Sequence, residues 1–214
     1  MDIYPSTVPD CPIVYLNTVS AEGGCVREAL LEMGCPDFSL VAISNLKWDH
    51  DMAPWAIPPI SPKDTPCTGG ADDYLCLLTE EIMPQAERAV PGYPSWRGLA
   101  GYSLAGLFAV YAMYRTDLFS RIASMSGSLW FPRFKEYAMS HEPKRAPDHL
   151  YLSLGDKEGK TRNEYLKAVQ ANTEELAALY RSRQIDTTFQ VNPGNHFAEG
   201  VKRSALGIQW LLSR

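Results

Sequence analysis

Gly98-Leu99-Ala100-Gly101-Tyr102-Ser103-Leu104-Ala105-Gly106 is the stretch whose reading decides the fold. A short apolar run leads straight into a helix-forming run, with a single serine at the junction. A strand that turns this sharply into a helix holds the residue at the bend in strained geometry and lifts its side chain above the sheet. The two backbones nearly touch there, so the residues two before and two after must be small. Gly101 and Ala105 fill those places, and Gly106 adds room. The pattern predicts Ser103 as a nucleophile. A serine that only caps the following helix is the plainer alternative.

Outward from this junction, short aliphatic runs alternate with longer amphipathic ones. Strands are predicted at 12–16, 39–46, 97–100, 121–125, 150–154 and 187–191, and helices at 22–33, 72–89, 104–115, 163–183 and 198–212. Strands separated by helices of this length predict a three-layer α/β domain over 1–214, with a mainly parallel sheet of about six strands. Residues 47–70 break the rhythm. They carry Pro54, Pro58, Pro59, Pro62 and Pro66 and are read as irregular. The segment follows the C-terminal end of a strand, where open α/β sheets bind ligands, so it predicts a stiff cleft wall. An incidental surface excursion is the alternative.

A serine nucleophile needs a base, and the chain has four histidines. His149 starts a strand, which puts it on the wrong edge of a parallel sheet. His141 sits in a polar Ser-His-Glu-Pro-Lys-Arg loop and reads as solvated. His50, in Trp48-Asp49-His50-Asp51, is on the correct edge but in the proline-rich segment, and reads as a substrate-side or structural residue. His196 follows the last strand through Asn192-Pro193-Gly194-Asn195 and is the predicted base. The group that orients it should follow the intervening strand, where Gly155-Asp156-Lys157-Glu158 offers two carboxylates. Either order is Ser…acid…His. Acids before a helix also suit its dipole, so Asp156 and Glu158 have a plainer reading too.

Composition narrows the field. The chain has 214 residues, 45% of them apolar, with 20 Lys+Arg against 25 Asp+Glu for a net charge of −5. Such a chain folds, and nothing in its charge suits a nucleic-acid backbone. No apolar run nears the roughly 18 residues of a membrane span, and the first residues lack the cationic and apolar regions of a secretory signal. The five cysteines are an odd number with no C-x-x-C pair. They are read as mostly buried thiols in a reducing compartment, which makes the expected location cytoplasmic. Asp49, His50 and Asp51 lack a second ligand cluster, so no metal is expected, and no cofactor is implied. Nothing sets the oligomeric state.

The run Gly101–Ala112, then Asp117-Leu118-Phe119 and Ser126-Gly127-Ser128-Leu129-Trp130, resembles the esterase D and enterochelin-esterase group of α/β-hydrolases. The likeness extends to Gly69-Gly70-Ala71-Asp72 and Gly194-Asn195-His196, and so covers nearly the whole chain. It implies the α/β-hydrolase fold and a small-molecule ester as substrate. In that group the acid tends to follow a strand-ending glycine as G-x-x-(D/E), which favours Glu158 over Asp156, though some members work as Ser–His dyads. The oxyanion hole would use the N–H of Leu104 and one from the loop after the first core strand, here Asn17-Thr18-Val19, with Thr18 as the expected donor. Relatives usually carry Asp-Gly there. Only about ten residues precede that strand, so the resemblance implies a fold trimmed of its leading hairpin strands.

Trp48, His50, Trp55 and Trp130 fall in loops expected on the catalytic edge, where an aromatic rim suits a planar acyl group. Packing of the loop onto the domain is an equal alternative for the tryptophans. The resemblance favours a siderophore-type ester. A feruloyl or acetyl ester of carbohydrate, acyl transfer to another alcohol, and a non-catalytic hydrolase-fold binding protein compete with it. A flavodoxin-like nucleotide binder would need a glycine loop after the first strand, where the chain has only Gly23-Gly24.

Overall fold

The computed structural model describes residues 1–214. In chain order the elements are β1 (Asp2–Tyr4), β2 (Ile13–Asn17), α1 (Gly23–Glu32), β3 (Ser39–Ile43), α2 (Trp48–Asp51), β4 (Ala56–Ile57), β5 (Cys67–Thr68) and α3 (Ala71–Leu77). A π-helical turn, Leu78–Ile82, joins α3 to α4 (Met83–Glu87). There follow β6 (Arg97–Tyr102), α5 (Leu104–Ala112), β7 (Arg121–Met125), α6 (Phe134–Ser140), β8 (His149–Gly155), α7 (Glu164–Lys167), α8 (Val169–Ser182), β9 (Asp186–Asn192) and α9 (Gly200–Leu212).

Seven strands form one sheet in the order β1-β3-β2-β6-β7-β8-β9. All neighbours are parallel except β1, which runs antiparallel to β3. The strands alternate their side chains between two cores, as a sheet covered on both faces must. Ile13 and Tyr15 of β2 enter the core shared with α3, α5 and α8, whereas Val14 and Leu16 enter the one beneath α1 and α9. Helix α5 is buried along its whole length, directly behind the β6 junction.

Several local expectations need correction. A three-residue edge strand that was not predicted, β1, precedes the first core strand and pairs antiparallel with β3. Residues 47–70 are not wholly irregular: they hold one turn of helix, α2, and the two-residue ladder β4–β5. The prolines permit this because each lies outside those elements. The single helix predicted at 72–89 widens at Leu78–Ile82, where Met83 N–H bonds to Leu78 O. Pro84 follows at once, and having no N–H it cannot continue the regular ladder. Residues 163–183 divide into α7 and α8. Asn163 caps α7 by accepting from the N–H groups of Tyr165 and Leu166 at 3.0 and 3.2 Å. Only Cys67 of the five cysteines is buried; Cys25 and Cys76 lie on solvent-facing sides of α1 and α3, and all five thiols are free.

Candidate active site

Five strands of the sheet, β2, β6, β7, β8 and β9, deliver the polar residues of the site at or just after their C-terminal ends. Ser103 is the single residue between β6 and α5, with φ 59° and ψ −124°, a conformation that costs an L-residue energy and needs a surrounding clamp. The clamp is visible. Ser103 N–H donates to Met125 O at 3.1 Å, and Ser103 O accepts from the N–H groups of Gly106, Leu107 and Ser128. Gly101 makes the bend possible, because a Cβ there would lie 2.4 Å from the carbonyl of Ala105.

His196 Nε2 lies 3.0 Å from the Ser103 hydroxyl, and its Nδ1 lies 2.7 Å from Glu158 Oε2. The second oxygen of Glu158 accepts from Gly155 N–H at 2.6 Å, from the Ser126 hydroxyl at 2.7 Å and from Arg203 at 3.2 Å. Burial works to raise the Glu158 carboxyl. The hydrogen bonds from His196, Gly155 and Ser126, together with the charge of His196, overcome it and hold the group below the ordinary carboxylate range. Asp156 is elsewhere: its carboxylate accepts from Gly194 N–H at 2.7 Å and so steadies the turn that leads to His196.

A family model described as "Putative esterase" matches residues 25–203. The chain belongs to that esterase family. The uncharacterized protein YbbA of Bacillus subtilis is 22% identical over 197 residues, which is 88% of this chain and 79% of YbbA. Among solved structures, the siderophore hydrolase EstB of Aspergillus nidulans superposes with a TM-score of 0.75 at 21% identity, over 97% of this chain and 84% of EstB. An IroE-like serine hydrolase of Shewanella oneidensis gives 0.79 at 18% identity, over 99% and 74%. The enterobactin esterase FES of Shigella flexneri, solved in the presence of enterobactin, gives 0.71 at 18%, over 99% of this chain and 53% of FES. At these identities the superpositions establish a shared α/β-hydrolase fold.

Within this family member, Ser103, His196 and Phe197 line two adjoining cavities of about 530 and about 480 Å³. The first is walled by the 57–67 segment and by Trp130, Leu166 and Val169, and the second by Asn17, Val19, Trp48 and Val201. Of the four aromatic residues expected at the rim, Trp130 and Trp48 line a cavity. Trp55 does not. Its ring packs among Tyr111, Phe131, Phe134 and Tyr137, and its Nε1 donates to Pro132 O at 3.0 Å. His50 is turned inward too, with Nδ1 2.7 Å from the Thr68 hydroxyl and its ring where a Cβ on Gly70 would be. Both residues bind the 47–70 segment to itself and to the body of the protein.

Thr18 is also displaced from its expected role. Its N–H is taken by Ile43 O at 2.8 Å and its hydroxyl bonds to Ser20 O and Ile43 O. Ser20 N–H bonds to Glu22. That leaves the N–H of Val19, which lines the second cavity beside Ser103. Leu104 lines the first, and its N–H opens α5, where no helical carbonyl is available to it. Burial, with the carboxylates of Asp49 and Asp64, pushes the Cys67 thiol up to about 11, so the cavity holds no competing thiolate at neutral pH. Of the remaining histidines, His149 is bonded to Asp186 at the opposite sheet edge and His141 stacks on Tyr137. No group of three or more His, Cys, Asp or Glu side chains converges to hold a metal ion, and no helix is long and apolar enough to cross a membrane.

Sequence reasoning assigned no role to Arg203, Ser126 or Phe197, and of the loop Asn17-Thr18-Val19 it singled out Thr18. Phe197 had the clearest signal, since an apolar residue directly after the predicted base stands out; its ring is 89% exposed and edge-on to His196.

Proposed function

We propose that this esterase cleaves carboxylic esters through an acyl-enzyme on Ser103. The observation that carries the reading is the hydrogen-bonded series Ser103–His196–Glu158, at 3.0 and 2.7 Å, placed where two cavities meet. His196 Nε2 takes the Ser103 proton as the oxygen attacks the ester carbonyl, while Glu158 supports the imidazolium that forms. The N–H groups of Leu104 and Val19 stabilise the tetrahedral oxyanion. As the C–O bond to the alcohol breaks, His196 returns the proton to the leaving oxygen. Water then enters, gives a proton to His196 and attacks the acyl carbon; the carboxylic acid leaves and Ser103 regains its hydrogen.

Cavities of comparable size on either side of Ser103 favour an ester that joins two bulky units over an acetyl or methyl ester. An ester of siderophore type fits this description, in keeping with the siderophore hydrolase and enterobactin esterase that share the fold. The test is a panel of acetyl, feruloyl and siderophore esters assayed with wild type and Ser103→Ala. The reading expects the highest kcat/KM on the two-sided esters and no turnover by Ser103→Ala. A preference for acetyl esters would overturn the substrate class, and turnover by Ser103→Ala within about tenfold of wild type would overturn the mechanism.

A further inference from the structure

Arg203, in the first turn of α9, is 2% exposed, and its guanidinium sits beneath the site. Nη1 is 3.2 Å from each of Glu158 Oε1, Ser126 Oγ and Tyr102 OH, and Nη2 donates to Pro193 O at 2.8 Å. These partners follow or end β8, β7, β6 and β9; the tips of β8, β6 and β9 also carry the acid, the serine and the histidine, and β7 contributes Ser126. Room for the guanidinium is built in. A Cβ on Gly155 would lie 2.3 Å from the carbonyl oxygen of Gly194 and 2.9 and 3.0 Å from the two terminal nitrogens of Arg203, so this glycine admits both the Gly194 turn and the guanidinium. Arg203 Nε is buried without a partner. A buried cation with an unmet donor is a poor device for stability alone.

We propose that Arg203 is a positioning residue that holds Glu158 against His196 and offsets part of its negative charge. The inference rests on the Ser103–His196–Glu158 reading above. Around the Glu158–His196 pair stand Ser103 and Tyr102 at the end of β6, Ser126 after β7, the Gly155 N–H of β8 and Arg203 of α9. Asp156 turns away to Gly194. Tyr151 of β8 also lies close to Arg203. Burial raises both the Tyr102 and Tyr151 phenols, so neither is charged at neutral pH and Arg203 is the fixed cation of the group. A cation on that side opposes protonation of the imidazole. Removing it therefore moves the acid limb of the rate profile to higher pH.

The experiment measures the pH dependence of inactivation by a fluorophosphonate, which reports the nucleophilicity of Ser103 without a known substrate. Arg203→Met is expected to slow inactivation by about 10- to 100-fold and to move the acid limb upwards by on the order of one unit. Arg203→Lys keeps the cation but loses the fork, so it is expected to be slower than wild type with the limb in place. In a Glu158→Gln background, Arg203→Met should add less than about a twofold loss, because the two act through one contact. Equal rates for wild type and both Arg203 variants would overturn the proposal. So would an equal loss in both Arg203 variants with no movement of the limb. If Arg203→Met does not fold, Arg203→Lys in the wild-type and Glu158→Gln backgrounds decides: a slowed rate in the first with less than about a twofold further loss in the second supports the proposal, and a wild-type rate, or an equal loss in both backgrounds, overturns it. Failure of wild type to react at all would instead overturn the serine reading on which the inference rests.

Discussion

The Tyr102 hydroxyl donates to the backbone carbonyl of His196 across 2.7 Å, so the residue before Ser103 also pins the histidine. The two rings lie 5.4 Å apart, tilted by 54°. Serine and histidine come from loops 93 residues apart in the chain, and their 3.0 Å approach depends on ties of this kind. Tyr102→Phe keeps the ring and removes the tie. We expect kcat to fall by about threefold to thirtyfold with KM little changed, because geometry and not binding is lost. Steady-state kinetics check this, and an unchanged kcat would mean that the His196 loop is held without Tyr102.

The two carboxylates after β8 have separable duties. Glu158→Gln removes the charge that supports the imidazolium, and kcat should drop by roughly 10²- to 10⁴-fold. Asp156→Asn leaves an amide oxygen that can still accept from Gly194 N–H, so a loss within about tenfold is expected. Assays of both variants, each with its thermal unfolding measured, decide the matter. A larger loss in Asp156→Asn would contradict the assignment.

Phe197 is 89% exposed, lines both cavities and packs edge-on against the His196 ring. An aromatic face left this open at a cleft is available for a substrate group. Phe197→Ala should raise KM for a two-sided aromatic ester by about 10-fold, the scale of one lost aromatic contact, and leave an acetyl ester nearly unaffected. Equal effects on both esters would assign Phe197 to the support of His196 instead.

Acid should unfold the protein through two carboxylates in particular. Burial opposes ionisation of Glu87, but hydrogen bonds and charge from Arg97, with a hydrogen bond from Tyr15, hold its carboxyl below the ordinary range. Glu158 is held low as well. A carboxyl lowered on folding stabilises the native state fully above its unfolded pKa, about 4.3 for glutamate. That contribution is lost as pH falls through the native value. Urea unfolding at stepped pH should therefore show stability falling from about pH 4.5 downwards. Glu87→Gln should be less stable at neutral pH and flatter below it, and an unchanged slope would contradict the account.

The β6–α5 junction was legible because strand, serine and small residues are all local to nine positions, and local sterics dictate the bend. The six parallel strands and His196 were legible for a related reason: once strands alternate with helices, every strand's C-terminal end is on one edge. Glu158 was favoured over Asp156 by resemblance and by its longer arm; in the structure Glu158 lies 2.7 Å from His196 Nδ1 while Asp156 is held by the Gly194 N–H. For Trp55 and His50 the sequence left a rim role and a packing role open, because a loop's own folding sets which face turns inward and no periodicity records it; in the structure both are packed inward. The bonding of the Thr18 N–H to Ile43 O was hidden for the same kind of reason, since the two lie 25 positions apart. Arg203 was hidden inside an amphipathic helix, where an arginine reads as solvent-facing until the packing of α9 under β6, β7 and β8 is known.

The most direct test of the central claim is to treat the folded protein with a fluorophosphonate and locate the adduct by peptide mass spectrometry. The account predicts one phosphonyl group on the peptide containing Ser103, formed faster above neutral pH than below it, and none in Ser103→Ala or after heat denaturation. An adduct on another residue, or equal labelling of Ser103→Ala, would contradict it.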